Sequence, residues 1–434
     1  MTSTQHNSID YLCDLEQFGI KLGLENIKII REALGFPDQS FTSIIVAGTN
    51  GKGSVAAILD TALRSTGYTT GRFTSPHLVS LKERFYVRGT PVAYDELLAE
   101  TDRFRATVSN LLMNGKLLAP PTFFEATTAI ALSLFRNAGV RVAVLEVGMG
   151  GRFDATNVVT PTAVAIPSID LDHQQYLGTT LAEIAFEKAG VIKTGALVIV
   201  GETQLEAVEV IRQACHERKS RLVEPMTQVE TKIGLQNGLT ELDMTTPIRR
   251  YGPIRLGLRG RHQVRNAVVA VRLLEELENY GLPVSKEAIL EGLVNTRWGG
   301  RLELVSLDTH RSILLDAAHN VASATAFAAY VDEVWPNGMP LIFAALEDKD
   351  ISGMIRALGK SVTAMVCPPL TSQRALAPEA LVRKVKEANP DLTTIVAPSP
   401  HAALEIAWRQ GNVIGAAGSI YLIGALMSEL ALQP

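Results

Sequence analysis

The segment Val46–Ser54, with the sequence VAGTNGKGS, decides the fold of this chain. The apolar run Ser43–Ala47 leads into it and predicts a strand, and the apolar spacing of Val55–Leu63 predicts a helix directly after it. Glycines in the connecting loop let backbone N–H groups approach a polyphosphate, and the start of the helix contributes about half a positive charge. The segment therefore predicts a nucleotide-binding loop at the carboxyl end of a strand.

Lys52 and Ser54 give this loop its chemical character. The lysine can meet the β- and γ-phosphates of a nucleotide as a point charge, and the hydroxyl can help to hold magnesium. The strict pattern places the hydroxyl residue directly after the lysine, whereas Gly53 intervenes here. A glycine-rich turn between a strand and a helix is the alternative interpretation. The strand before the loop and the helix after it favour ATP binding by Gly51, Lys52, Gly53 and Ser54.

Short apolar runs alternate with helical patterns on the carboxyl side of the loop, which is typical of a parallel sheet covered by helices. The predicted strands of this part are 142–147, 163–167 and 196–200, and its predicted helices are 123–137, 181–189, 205–217, 263–280 and 285–294. Residues 222–261 alternate less regularly and predict a few antiparallel strands, among them 240–244 and 254–258. After a glycine-containing hinge at 296–300, a second alternation predicts strands at 313–316, 341–344, 363–366, 394–396 and 420–423.

The chain thus divides into two predicted α/β domains. Residues 1–299 are expected to form an N-terminal domain that contains the phosphate loop, and residues 300–434 a smaller, Rossmann-like C-terminal domain. A chain of 434 residues is too long for one ordinary core and suits two.

Composition and charge exclude several classes of protein. The 41 Lys and Arg residues nearly balance the 45 Asp and Glu residues, which argues against a surface built for nucleic acid or for an anionic membrane. No secretory signal and no apolar stretch long enough to span a bilayer is apparent. The cysteines Cys13, Cys215 and Cys367 lie far apart, without metal-ligand spacing. We therefore expect a cytoplasmic globular protein with reduced thiols.

A second glycine-rich segment, Leu145–Asn157 (LEVGMGGRFDATN), follows the next predicted strand. Glu146 ends that strand, which should be buried on both faces. A charge there is costly unless it is paired or bound to metal, so Glu146 is expected to face a site at the carboxyl edge of the sheet. A salt bridge to Arg152 is the alternative, but it leaves the glycines unexplained.

His173 follows the predicted strand 163–167 and is a candidate ligand for a second magnesium ion. A lone histidine is more often a structural residue, and magnesium prefers oxygen ligands. The residue type alone leaves both interpretations open.

Ten short motifs occur in order along nearly the whole chain: GTNGKGS (48–54), SPHL (75–78), PTFFE (121–125), LEVGMGGRFDATN (145–157), LDHQQYLG (171–178), EKAG (187–190), RHQVRNA (261–267), GRLE (300–303), LDAAHN (315–320) and GSIYLIG (418–424). Each is modestly specific, but in this order they resemble the folylpolyglutamate synthase/dihydrofolate synthase family of the Mur ligase superfamily. The resemblance implies a Mur-ligase-like fold for the N-terminal domain.

The resemblance also implies metal ligands and a modified lysine. Ser75 and Glu146 would hold a first magnesium ion, and His173 a second. Lys188 matches a lysine that the family carries as a carbamate, which replaces a cation with an oxygen anion. Carbamylation requires a neutral amine, and burial would favour that form. An unmodified lysine paired with Glu187 or with Glu183 is the alternative.

Further residues match family positions that bind substrates. The implied ATP contacts beyond the loop are Asn266, Arg301 and Asp316. The implied pocket for the pterin-bearing substrate comprises Thr122, Phe123, Phe124, Glu125, Phe153, Asp154 and Ala155, although the three phenylalanines could be plain core residues. His319 and Ser419 are candidates for the glutamate end, and the implied catalytic residues are Lys52, Lys188 and His319.

By this resemblance the chain would be a monomeric ligase that uses ATP to join L-glutamate to dihydropteroate, to the γ-carboxylate of reduced folates, or to both. The expected route passes through an acyl phosphate and releases ADP and phosphate, and dual activity is favoured. A Mur-type cell-wall peptide ligase would carry a sizeable domain before the loop, which begins here at Gly48. A nucleotide-gated binding protein without catalysis would not be expected to retain together the five residues Lys52, Ser54, Glu146, His173 and Lys188.

Overall fold

A computed structural model describes residues 3–19, 21, 23–372 and 374–432 of the chain. Its strands are β1 (Thr42–Val46), β2 (Thr70–Phe73), β3 (Phe85–Val87), β4 (Thr90–Pro91), β5 (Val142–Glu146), β6 (Ala163–Ile166), β7 (Leu197–Val200), β8 (Arg221–Val223), β9 (Glu230–Gln236), β10 (Leu239–Thr245), β11 (Arg250–Arg255), β12 (Glu303–Ser306), β13 (Ser312–Leu315), β14 (Met339–Phe343), β15 (Val362–Cys367), β16 (Thr393–Val396) and β17 (Val413–Ala417).

The helices are α1 (Ser3–Asp14), α2 (Glu25–Ala33), α3 (Lys52–Ser65), α4 (Tyr94–Met113), α5 (Phe123–Asn137), α6 (Gln174–Leu177), α7 (Leu181–Ala189), α8 (Leu205–Glu217), α9 (His262–Glu276), α10 (Lys286–Asn295), α11 (Val321–Val334), α12 (Ile351–Leu358), α13 (Pro378–Ala388), α14 (Pro400–Trp408) and α15 (Ile420–Glu429). None of the helices in the described part of the chain is long and apolar enough to cross a bilayer.

The first sheet has eight strands in the order β4-β3-β2-β5-β1-β6-β7-β8. The six strands from β2 to β8 pair in parallel, and the edge strands β3 and β4 are antiparallel. Its central strands are mostly apolar because helices cover both faces. Helices α3, α9 and α10 pack on one face, and α1, α2, α4, α5, α7 and α8 contribute to the core on the other. The predicted parallel sheet is confirmed, and its carboxyl edge positions the phosphate loop.

A three-stranded antiparallel sheet, in the order β11-β10-β9, follows the first sheet in the chain. The antiparallel strands predicted for this region are confirmed, but the predicted strand 254–258 ends at Arg255. Beyond it the Gly257 N–H donates to Leu293 O at the end of α10, so the chain leaves the hairpin. Leu256 and Leu258 are buried against the first sheet's core without belonging to a strand, which explains the misleading alternation.

The third sheet has six strands in the order β12-β13-β17-β14-β15-β16, all parallel except the edge strand β12. The predicted strand 420–423 is wrong, since these residues form the first turn of α15. Ser419 starts that helix by accepting a hydrogen bond from the Tyr421 N–H at 3.2 Å. The strand is β17 instead, whose Gly415 and two alanines carry a weak strand signal. The division into two domains at Gly300 stays a prediction.

Candidate functional site

The phosphate loop joins β1 to α3 and is held by the segment after β6. Gly48 and Gly51 both have positive φ angles, of 138° and 83°, which the loop path requires. Thr49 donates its N–H to Ser168 O at 2.9 Å, and Asn50 donates its N–H to Ser168 Oγ at 3.0 Å. A Cβ on Gly51 would collide with the side chain of Asn266, so that residue packs directly against the loop. The loop is therefore fixed on two sides.

Lys52 begins α3, and its ammonium donates to Thr49 O at 3.0 Å. Burial lowers the pKa of Lys52, whereas the negative charges of Glu146 and Asp172 raise it. Gly53 and Ser54 follow and are buried, Gly53 beneath the indole of Trp298. The loop thus presents a cation and backbone N–H groups at the start of a 14-residue helix, the arrangement that binds phosphate.

Glu146 ends β5 directly beside Val46 of β1 and is buried, as predicted. Its Oε2 accepts a hydrogen bond from the Ser75 N–H at 3.1 Å. Burial raises the pKa of Glu146, and Lys52 lowers it. Arg152 pairs with Glu187 at 2.8 Å, so it is not the partner of Glu146. The carboxylate is left available beside Ser75 for a cation at the phosphate loop.

His173 lies in the segment after β6 and directly precedes the short helix α6. Its backbone is left-handed, with φ 51° and ψ 36°. Burial lowers the pKa of His173 to about 4, while the neighbouring Asp172 raises it. The imidazole is therefore neutral near pH 7, which is the form that binds metal.

The magnesium sites implied by the family fit these donors. No three His, Cys, Asp or Glu side chains cluster as a ready metal cage in the described ranges. Magnesium is commonly held by one or two protein oxygens together with substrate phosphates and water, so a sparse protein contribution suits it. Such a contribution is made by Glu146 beside Ser75 and by His173, both of which interact electrostatically with Lys52.

Lys188 lies on α7 with 3% exposure, and its ammonium donates to Gly48 O of the phosphate loop at 2.9 Å. Burial, together with the positive charge of Lys52, lowers the pKa of Lys188 to about 7. Neither proposed alternative partner is used: Glu187 pairs with Arg152, and Glu183 accepts backbone N–H groups at the start of α7. The buried amine therefore has a large neutral fraction near pH 7.

Asp316 and Arg301 come from the third sheet and the loop before it. Both carboxylate oxygens of Asp316 accept backbone hydrogen bonds at 2.8 Å, from Leu302 and from Ala318. Burial raises the pKa of Asp316, and Arg301 lowers it. The positive charge of Arg301 also acts on Glu146 and Lys52. Asp316 thus fixes the loop that brings Arg301 to the site.

Three polar residues at this junction were not predicted: Asp172, Asn320 and Lys349. Lys349 Nζ lies 2.7 Å from Asp172 Oδ1, and Asn320 Nδ2 donates to Asn50 Oδ1 at 3.0 Å and to Asp172 Oδ2 at 3.3 Å. His319 Nε2 lies 3.6 Å from Asp172 Oδ2. These contacts join the phosphate-loop edge of the first sheet to the third sheet. The sequence signal that could have indicated Asp172 is its position directly before the predicted ligand His173.

The environment of Asp172 explains why it remains charged. Burial alone would raise its pKa, but the contacts that Asp172 makes with His319 and with the Lys349 ammonium outweigh burial and hold the pKa far below its usual value.

The predicted pterin pocket contains three aromatic rings and several polar groups that are already occupied. Phe153 is 37% exposed beneath the Arg152 guanidinium, and Phe123 and Phe124 are half-buried at the start of α5. Two sets of polar groups hydrogen-bond to backbone N–H groups. Thr122 and Glu125 form the capping box of α5, and the Asp154 carboxylate accepts from the Met149 and Thr156 N–H groups. Ala155, beside Asp154, is buried. Ser419, which caps α15, is likewise buried. Only the rings offer free surface.

A cavity of about 760 Å³ opens beside the loop, on the α3 side of the first sheet. Its lining includes Gly53, Ser75, Glu146 and Arg301, and Ile420 borders it from the start of α15. The cavity therefore brings the phosphate loop, the Glu146 carboxylate and the Arg301 guanidinium to one space.

The chain matches two family profiles, the Mur ligase middle domain over residues 95–274 and the glutamate ligase domain of Mur ligases over residues 300–420. It is 37% identical over 347 residues to the dihydrofolate synthase/folylpolyglutamate synthase of Bacillus subtilis, which covers 79% of this chain and 80% of that protein. The chain belongs to the dihydrofolate synthase/folylpolyglutamate synthase family. It is accordingly an ATP-dependent carboxylate–amine ligase.

Solved structures agree with this assignment over the whole chain. The folylpolyglutamate synthase of Mycobacterium tuberculosis complexed with ADP superposes with a TM-score of 0.90 at 30% identity, covering 99% of this chain and 100% of that one. The bifunctional enzyme of Yersinia pestis complexed with AMPPNP and a manganese ion superposes with a TM-score of 0.84 at 30% identity, covering 99% of each chain. The predicted Mur-ligase-like α/β fold and family are thus confirmed.

Proposed function

We propose that this ligase adds L-glutamate both to dihydropteroate and to the γ-carboxylate of reduced folates. The observation that carries the proposal is the convergence of Lys52, Glu146 and Lys188 on one phosphate loop that faces Arg301 and His319 across the junction of two sheets. A site of this kind can activate a carboxylate with ATP on one side and receive an amine from the other.

The reaction needs activation because an oxide anion is a very poor leaving group. A carboxylate oxygen of the acceptor attacks the γ-phosphorus of ATP, and the bond to the β-phosphate oxygen breaks, giving an acyl phosphate and ADP. The glutamate amine then attacks the carbonyl carbon, loses a proton, and expels phosphate. Lys52 neutralises charge that develops on the transferred group. The contacts between Asp172 and Lys349 keep water from the acyl phosphate.

Ser75 and Glu146 would hold one magnesium ion, and His173 a second. When bound, the metal supplies positive charge to the phosphate oxygens. This chain's own contribution is to keep the Glu146 carboxylate buried beside Lys52 and the His173 imidazole neutral.

Lys188 is proposed to carry a carbamate. Its neutral amine attacks carbon dioxide and releases a proton to solvent, and the resulting carbamate anion replaces a cation beside the phosphate loop. In buffer stripped of carbon dioxide at pH 8, activity should fall, and bicarbonate should restore it; Lys188→Ala should be inactive and unresponsive to bicarbonate. Unchanged activity of the stripped enzyme would contradict the carbamate.

The acceptor is proposed to place its pterin against Phe123, Phe124 and Phe153, whose faces suit stacking on a flat ring. Asn266, Arg301 and Asp316 are proposed to border the nucleotide, and His319 and Ser419 the incoming glutamate. The Ser419 hydroxyl also caps α15 by accepting from the Tyr421 N–H.

The deciding experiment incubates the purified chain with ATP, L-glutamate and either dihydropteroate or tetrahydrofolate. Release of ADP and formation of one amide per ADP are expected with both acceptors. Release of AMP would contradict the acyl-phosphate route, and activity with one acceptor alone would contradict dual function. Light scattering during size-exclusion chromatography tests the expected monomer.

A further inference from the structure

A stack of three side chains lies between the phosphate loop and the hinge, outside the chemistry assigned above. The Arg72 guanidinium on β2 lies 4.0 Å from the centre of the Tyr86 ring and 4.9 Å from the centre of the Trp298 ring. Arg72 Nη1 lies 3.3 Å from Asp60 Oδ2, and both residues are buried. The cation therefore ties together β2, β3, α3 and the hinge.

Trp298 is the member of this stack that touches the phosphate loop. A Cβ added to Gly53 would lie 2.9 Å from three atoms of the indole, so the ring rests directly on the loop backbone. Trp298 also lies three residues before Arg301, whose charge acts on Lys52 and Glu146. A displaced indole would disturb both the loop and the segment that delivers Arg301.

The guanidinium is held mainly by ring faces. Its Nε is buried without a hydrogen-bond partner among the described residues, and Asp60 supplies its one carboxylate contact. Asp60 itself is shared with Thr70, whose Oγ1 donates to it at 2.5 Å. A flat, delocalised guanidinium stacks between two rings, whereas the compact ammonium of lysine does not.

We propose that Arg72 is a positioning residue for ATP, which acts through Trp298 to hold the phosphate loop and the hinge in the geometry that binds nucleotide. The proposal rests on the proposed function, because it concerns the same ATP site. Arg72 is a positioning residue in this scheme because its guanidinium is engaged by Tyr86, Trp298 and Asp60.

The test variant is the double substitution D60N/R72M, because Arg72→Met alone would leave a buried, unpaired carboxylate. We expect its KM for ATP to rise about fivefold or more, while kcat at saturating ATP changes less than about twofold. Arg72→Lys should raise the KM for ATP by the same factor, since it keeps the positive charge but loses the stacking on Tyr86 and Trp298. In a chain that already carries Trp298→Leu, adding D60N/R72M should not raise the KM for ATP further, because Arg72 acts through the Trp298 ring.

A second measurement uses Trp298 as the reporter in a W335F/W408F background. ATP with magnesium should change its emission, and D60N/R72M should weaken the apparent affinity by the same factor as the KM. Arg311→Met is the matched kinetic control, because Arg311 also pairs with an aspartate, at 2.8 Å, and stacks on a tryptophan, at 5.0 Å, away from the loop. It should leave the KM for ATP unchanged.

A wild-type KM and nucleotide affinity in D60N/R72M would overturn the proposal, and so would full rescue by Arg72→Lys. Loss of ligase activity in the wild-type chain would overturn the proposed function instead. The fluorescence titration needs no turnover, so it still tests Arg72 in that case.

Discussion

Lys188 shows how burial prepares a single residue for chemistry. It is enclosed between α7 and the phosphate loop, has a backbone carbonyl as its hydrogen-bond acceptor, and lies close enough to Lys52 to be repelled by it. These surroundings oppose the charged form, so the amine is neutral in a pH range where an ordinary lysine is a cation.

The lowered pKa predicts a pH-dependent stability. The folded pKa is about 7, against 10.5 in the unfolded chain, so the unfolded state binds more protons between these values. In buffer free of carbon dioxide, this group should make the free energy of unfolding rise with pH by about 1.4 kcal/mol per unit across that window. Below pH 7 both states are protonated and the slope from this group vanishes. Denaturant titrations at several pH values give the free energy of unfolding of wild type and of Lys188→Met, and the pH dependence of the two should differ by this slope. The same pH dependence in both proteins would contradict the prediction.

Lys52 should contribute to turnover more than to stability. Lys52→Ala removes the cation beside the transferred phosphoryl group, and we expect kcat to fall about 10²-fold or more. The control is Lys384→Ala, on an exposed position of α13. Steady-state ADP release measures both, and a near-normal rate for Lys52→Ala would remove this lysine from the mechanism.

The N-terminal turns of two helices position residues of the candidate site. Helix α3 begins after the loop that follows β1, and α5 begins within the PTFFE segment; the start of each helix carries residues assigned to a substrate. In α5 the Thr122 hydroxyl accepts from the Glu125 N–H, and the Glu125 carboxylate accepts from the Thr122 N–H. The capping box therefore sets where the first turn, and with it Phe123 and Phe124, begins.

Two matched caps separate stability from binding. Thr122→Ala and Thr180→Ala each remove a threonine from a capping box, of α5 and α7 respectively, and each should lower the free energy of unfolding by about 1 kcal/mol. Only Thr122→Ala should raise the KM for dihydropteroate, because its helix carries the two rings. Equal KM values for both variants would argue against a pterin pocket at α5.

At the scale of the whole molecule, the carboxyl edges of two sheets meet over the phosphate loop. Lys349 and Asn320 from the third sheet contact Asp172 and Asn50 from the first. A second bridge, Arg261 to Glu333 at 2.6 Å, lies away from the loop and is about half exposed on its arginine side. The two bridges differ in burial, and buried pairs are the costlier ones to break.

Loss of the buried bridge should weaken the contact between the two sheets. Lys349→Met is expected to weaken this contact by about 1–2 kcal/mol, so that kcat falls about tenfold and more ADP is released per amide formed, because water reaches the acyl phosphate. Arg261→Ala should change the ratio of ADP to amide little, since exposed pairs contribute less than about 1 kcal/mol. Equal ratios for wild type and Lys349→Met would argue against a role for Lys349 in keeping water from the acyl phosphate.

The sequence by itself determined the features that depend on neighbouring residues. The loop between β1 and α3, the buried carboxylate ending β5 and most central strands follow from local apolar spacing, glycines and strand ends. Local patterns failed where two structures share one pattern: residues 420–423 are apolar enough for either a strand or a helix, and only the Ser419 cap places them in α15.

The tertiary structure alone decided which side chains meet. Nothing in local spacing brings Lys349 to Asp172, 177 positions apart in the chain, or Trp298 onto Gly53. It also decided which predicted site groups are already occupied, since Asp154, Asp316 and Ser419 are bound by backbone N–H groups. Such contacts depend on how the two sheets are oriented relative to each other, which the burial of their apolar cores decides. A sequence pattern with a period of two or of 3.6 residues carries no information about that orientation.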